Sequence, residues 1–102
     1  MNNVESATLR VVVFQDGEQY IAQCLEYDIC AQAPDLNKLE LRFKALMALE
    51  REYSIANNKK PFEGIGPAPQ HFQMMWEKRT DFVSRTASTG KEQPLELALC
   101  AA

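Results

Sequence analysis

Apolar and polar positions alternate early in the chain and then change to a helical period. From Thr8 to Phe14, TLRVVVF is rich in β-branched residues. Leu9, Val11 and Val13 share one strand face, while Val12 and Phe14 lie opposite with Arg10. That pattern predicts an interior strand, covered on one side by a helix and partly on the other. Asp16-Gly17 follows, and an Asp-Gly pair between two strand-like runs signals a hairpin, because glycine takes positive φ without strain. A second strand is expected from about Glu18 to Leu25, with Ile21, Gln23 and Leu25 on one face and Tyr20, Ala22 and Cys24 on the other. Glu26, Tyr27 and Asp28 form a polar corner, and Ile29 to Gln32 resumes as a short third strand. The three strands make an antiparallel meander.

Pro34 stops the third strand, and Asp35 is a good helix N-cap, its carboxylate free to accept from first-turn N–H groups. Lys38 stands where a capping box would place Glu or Gln. Apolar residues then fall at 36, 39, 43, 46 and 47, the period of an amphipathic helix, with the phase carried on to Tyr53. Each large stripe residue stabilises by roughly 1.5–3 kcal/mol when buried, against a few tenths for the surface pair Glu40–Lys44. The helix must therefore lie on a sheet face. Asn57-Asn58-Lys59-Lys60 ends it, and Pro61 forbids continuation.

Residues 62–70, FEGIGPAPQ, hold two Gly and two Pro and read as a loop whose Phe62 and Ile65 tuck against the core. Pro69 suits the first turn of a second helix, expected over roughly Pro69 to Val83. There Phe72, Met75, Trp76 and Arg79 share a face, and Phe82 and Val83 complete the spacing. Arg85 to Pro94 has loop composition. Leu95, Leu97 and Leu99 alternate in phase, which reads as a fourth strand or, alternatively, as a frayed helical tail. As a strand it returns beside the first and parallel to it, through a right-handed crossover. The expected architecture is α+β, in the order β-β-β-α-α-β: a meander plus a fourth parallel strand, with helices covering one face.

Composition narrows this picture. A chain of 102 residues supports one core and one domain, here 1–102. Apolar runs fall short of the roughly 18–20 residues that a membrane span requires. The start, MNNVESATLR, lacks the features of a signal peptide, so the expectation is cytoplasmic. Three cysteines, Cys24, Cys30 and Cys100, cannot all pair internally and offer no C-x-x-C zinc element. Cys24 and Cys30 sit in apolar, strand-like surroundings, where buried free thiols are the simpler reading. The net charge of −3 disfavours nonspecific nucleic-acid binding and suits a basic partner only weakly.

The first half of the chain resembles the N-terminal domain of the HicB family of antitoxins. The resemblance rests on the corner Ala22-Gln23-Cys24-Leu25-Glu26 inside the run Tyr20 to Asp28, then Ala31-Gln32-Ala33, then the helix capped at Asp35 with Leu36 and Leu39. It covers about residues 8–55. Short HicB-like proteins of bacteria are similar through PFEGIGPAP and MWE, to roughly residue 78. The resemblance implies a truncated ribonuclease-H-like sheet in the order β-β-β-α-β, and binding of a small ribonuclease toxin. Ala33 stands where the family usually has Gly, which calls for a different turn conformation or a strained one. Residues 61–102 carry no recognisable ribbon-helix-helix or helix-turn-helix, so operator binding is not expected.

Candidate chemistry is sparse. Two-metal catalysis needs carboxylates converging on ions about 4 Å apart, and Glu26 with Asp28 is the only nearby acidic pair. His71 has neither a second histidine nor a nucleophile at a motif spacing. Ser84, Thr86, Ser88 and Thr89 lack the strand–turn–helix setting of a nucleophile elbow. Gly64-x-Gly66 lacks the Lys-Ser/Thr of a phosphate loop. The expectation is a protein that is not an enzyme and takes no cofactor or metal. Its candidate partner-binding residues are Glu26, Tyr27, Asp28 and Trp76. The corner reads equally as a solvated turn, and Trp76 with Phe72, Met74 and Met75 reads also as core. The partner implied is a small basic toxin. The alternative is an orphan of the same fold that self-associates as a homo-oligomer through sheet edges or its second helix.

Overall fold

A computed structural model describes residues 8–79, 81–85 and 93–100. The meander consists of β1 (Leu9–Asp16), β2 (Gln19–Cys24) and β3 (Cys30–Ala33). The long helix α1 (Leu36–Ala56), the short helix α2 (Gln70–Glu77) and strands β4 (Asp81–Arg85) and β5 (Leu95–Leu99) follow. The sheet has the order β3-β2-β1-β5-β4. β1 pairs antiparallel with β2, Val11 opposite Cys24, and parallel with β5, Val11 opposite Leu97. The fold is α+β with one parallel pair in a mixed sheet, and β5 lies beside β1 as expected, with Leu95 and Leu97 buried but Leu99, at the end of the strand, exposed. Gly17, at the first central position of the β1–β2 turn, has φ +65°, the placement that a primed hairpin turn favours.

β1 carries the fold's layering. Leu9, Val11 and Val13 point into one core with Ala22, Cys24, Leu95 and Leu97, closed by Leu39, Phe43 and Met47 of α1. Val12 points the opposite way, into a smaller core with Leu25, Ala98, Cys100 and Trp76 of α2, flanked by Phe14, Phe72 and Met75. The two helices thus lie on opposite faces of the sheet, not together on one. Val12 at 0% exposure explains why: a β-branched residue on the second face needs its own cover, and α2 supplies it.

Two further expectations are corrected. The second helix stops at Glu77 and does not run to Val83; Phe82 and Val83 belong to β4, which pairs antiparallel with β5 and makes the sheet five-stranded. A short apolar run fits either period, and an adjacent Phe-Val pair has strand propensity that an open sheet edge can use. Tyr53 is 66% exposed and Ser54 is buried. Seven residues make nearly two turns, so Ser54 follows Met47 inward, its hydroxyl donating to the Glu50 carbonyl at 3.1 Å. At Ala33 the unstrained alternative holds: its backbone is ordinary strand, and positive φ outside glycine occurs only at Asn58 and Phe62 among the described residues. Thr86, Ser88 and Thr89 and the polar start of the chain lie outside the described residues.

Both ends of α1 are satisfied locally. The Asp35 carboxylate accepts from the Lys38 N–H at 2.8 Å. At the far end Lys59 N–H donates to the Ser54 carbonyl and Asn58 N–H to that of Ile55, with Asn58 at φ +62°. That is a Schellman closure with asparagine in the left-handed position. With the ends closed, stability rests on the buried stripe. Phe43→Asp is expected to abolish the cooperative circular dichroism melt, whereas exposed Lys59→Ala shifts stability by less than about 0.5 kcal/mol. An unchanged melt for Phe43→Asp would refute the packing of α1 on the sheet.

Candidate functional site

The corner between β2 and β3 is built from backbone groups that leave the ladder. Leu25 N–H still donates to the Arg10 carbonyl at 2.9 Å, but Arg10 N–H turns to the Glu26 carboxylate at 2.9 Å. The Leu25 carbonyl accepts instead from Ala68 N–H at 3.0 Å. Glu26 thereby replaces one rung of the sheet with its side chain. Its second oxygen takes the Arg10 Nε–H at 2.7 Å, a charge-assisted bond of the stronger kind. The resulting clamp fixes the chain direction just after the second strand.

Below the clamp lies Cys24, fully buried, with Sγ 3.9 Å from Glu26 Oε1. Burial, with a smaller contribution from the nearby Glu26 charge, pushes its thiol up to about 11, so the sulfur is an inert thiol at neutral pH. Burial likewise raises the Cys100 thiol, whereas Cys30, expected to be buried, is exposed on the edge strand β3. Gln23, 4% exposed, donates from Nε2 to both the Cys24 carbonyl and the Asp28 carboxylate at 3.0 Å. Asp28 N–H donates to the Gly66 carbonyl at 2.7 Å. The corner and the loop at 62–69 are therefore one hydrogen-bonded unit.

Tyr27 completes the unit by stacking on Phe62, ring centroids 4.8 Å apart. Phe62 is buried and has φ +64°, a left-handed conformation that costs a bulky residue about 1–3 kcal/mol. Burial of the ring and the Tyr27 stack offset that strain. The loop's Phe62 and Ile65 do reach the main core, as their apolar character predicts.

Trp76 stands on the opposite face from α1, 6% exposed. The Arg79 guanidinium lies 4.4 Å and that of Arg10 5.9 Å from its ring centre, within cation–π range. Arg10 thus links Glu26 to Trp76. The four candidate residues fall into one connected region, but with different exposure: Asp28 is open, Glu26 and Tyr27 are half-buried, and Trp76 is covered. The large apolar side chain that α2 presents outward is Met74, 53% exposed. Beside the Arg10–Glu26 pair, Pro67, Pro69, Gln70 and Gln73 wall a cleft of about 310 Å³. A wider groove of about 650 Å³ runs past Tyr20, Asp35 and Lys38, where the one carboxylate is occupied in capping α1.

His71 is exposed and its ring lies 4.0 Å from that of Phe72. Among the described residues no group of three His, Cys, Asp or Glu side chains could hold a metal ion. No described helix is long and apolar enough to cross a membrane. The residues that sequence reading passed over are Arg10 and Gln23. Arg10 had a signal, as the one charge within a β-branched strand; Gln23 was simply a polar residue between Ile21 and Leu25.

The clamp makes Glu26 structural as well as polar. Glu26→Ala leaves Arg10 N–H and guanidinium without their acceptor and should lower unfolding stability by about 1–3 kcal/mol, with Glu26→Gln milder. Urea denaturation measures it; an alanine variant within about 0.5 kcal/mol of the parent would show the clamp to be incidental. In comparison with known proteins, no protein-family model, no curated protein and no solved structure matches the chain.

Proposed function

We propose that this chain is a non-catalytic protein-binding domain, a HicB-like antitoxin that neutralises a small basic ribonuclease toxin. The observation that carries the reading is the corner. Its backbone is fixed by Glu26, Gln23 and the stacked Tyr27–Phe62 pair, while the Asp28 carboxylate remains exposed beside the sheet-edge strand β3. A rigid acidic projection at a strand edge is suited to a basic partner, since charge complementarity steers encounter and pre-organisation spares the cost of ordering. The β-β-β-α order of residues 9–56 and the parallel β1–β5 pair support a truncated ribonuclease-H-like assignment. The second-face helix and the extra edge strand are additions to that plan.

In this reading Asp28 and Tyr27 touch the toxin, Glu26 holds them in place, and Trp76 keeps the opposite face closed. Mixed with a small basic ribonuclease, should an adjacent gene encode one, the purified chain should block RNA cleavage at about one-to-one stoichiometry. Asp28→Lys should weaken that inhibition about tenfold or more, chiefly through slower association. A nuclease that stays fully active in excess chain would overturn the reading. A second reading, an orphan of the same fold that self-associates without a toxin, is favoured by Leu41 and Leu49, both about two-thirds exposed on α1. Self-assembly without inhibition would select it.

A further inference from the structure

We propose that the outer face of α1 is a homodimer surface, on which a second copy of this chain packs its own α1 antiparallel about a two-fold axis at Ala45. Most amphipathic helices turn charge to solvent opposite their buried stripe. α1 buries Leu39, Phe43 and Met47, yet on its far side Leu41 is 70% and Leu49 68% exposed. Lys38, Ala45 and Glu52 share that side and are exposed too. At about 100° per residue, all five lie within roughly 40° of one line along the helix.

Their order is self-complementary. Reading outward from Ala45, a leucine stands four residues away in each direction and a charge seven away, Lys38 on one side and Glu52 on the other. When the helix meets its own copy antiparallel, Leu41 faces Leu49, and Lys38 faces Glu52, twice over. The small Ala45 lies at the crossing, where the backbones come closest. This is the isologous pattern a two-fold interface requires, each patch complementary to itself. A parallel pairing would instead set Lys38 against Lys38 and Glu52 against Glu52. The choice of these charges is not forced by pairing within the helix. Lys44 and Glu40 pair there at 3.1 Å, but among the described residues neither the Lys38 nor the Glu52 side chain has an ion-pair partner.

Size sets the strength. The stripe from Lys38 to Glu52 spans about 21 Å at the helical rise. A single helix pair of that length buries less than the roughly 800 Å² per partner of a standard interface, so association should be weak and visible in the micromolar range or above. The inference does not depend on toxin binding, because it uses neither Asp28 nor the edge of β3, only the solvent-facing line of α1.

Sedimentation equilibrium on the full chain, from micromolar to millimolar and with reductant present so that exposed Cys30 cannot cross-link, tests it. The weight-average mass should rise from 11.6 kDa toward twice that value. Leu49→Asp should raise the dissociation constant by at least about thirtyfold, with the circular dichroism spectrum unchanged. Lys38→Glu and Glu52→Lys should each weaken association by roughly threefold to tenfold, and the double variant should recover it, since both cross-axis pairs are re-formed with reversed sign. A mass fixed at 11.6 kDa throughout would overturn the proposal. So would dimerisation indifferent to Leu49→Asp, or a double variant weaker than either single one. None of these outcomes bears on nuclease inhibition, which is read separately.

Discussion

Burial of β1 on both faces is the constraint on which the rest of the molecule depends. Val11, Val12 and Val13 are each at most 1% exposed, although successive strand residues point to opposite sides. Each such side chain contributes roughly 1.5–3 kcal/mol only if something covers it. One face is covered by α1 through Leu39, Phe43 and Met47, the other by α2 through Trp76. In-plane, β2 and β5 satisfy its backbone, antiparallel on one side and parallel on the other. The crossover that brings β5 to β1 spans both helices, so a single strand ties the start of the chain to its far end.

The corner follows from the same constraint. Arg10 lies on β1 between two core-facing residues and cannot bury its charge alone, so it swings toward Glu26 and the Trp76 ring. Glu26 in turn takes over a ladder bond, which releases the Leu25 carbonyl to anchor the loop through Ala68. That loop delivers Phe62 beneath Tyr27 and starts α2 at the right place to cover Val12. Among the outward features left over are the open Asp28 carboxylate at the corner and the leucine line on α1. The proposed toxin contact rests on the first, the proposed homodimer on the second.

Much of this was legible in sequence because it depends on local period and punctuation. β1 to β3, the Asp16-Gly17 turn, the Asp35 cap, the α1 stripe through Met47 and the β5 alternation are each set by neighbours within a few residues. The failures have two physical sources, tertiary demands and a drift of helical phase. Phe82 and Val83 fit a helical spacing as well as a strand, and only the open edge of β5 decides between them. That α2 crosses to the second face depends on Val12 needing cover, a tertiary demand with no local sign. Tyr53 against Ser54 is a phase difference of one residue, accumulated over two turns. At the site, Glu26, Tyr27 and Asp28 were found as a corner, and Trp76 as a residue of the second helix. Arg10, which joins them, was visible only as a lone charge on an apolar strand, and Gln23 is recognisable only once its two acceptors are in space.

Native-state hydrogen exchange resolved by residue tests the central claim most directly. If β1 is the doubly covered strand that the other elements pack on, the amides of Val11, Val12 and Val13 should exchange only through global unfolding. They should be the slowest in the chain, with edge strand β3 and the last turn of α1 opening at lower free energy. Faster exchange in β1 than in α1, or loss of β1 protection while β2 and β3 remain protected, would contradict it. The meander and the parallel return would then be separate units, and the strand joining them would not be the centre of the fold.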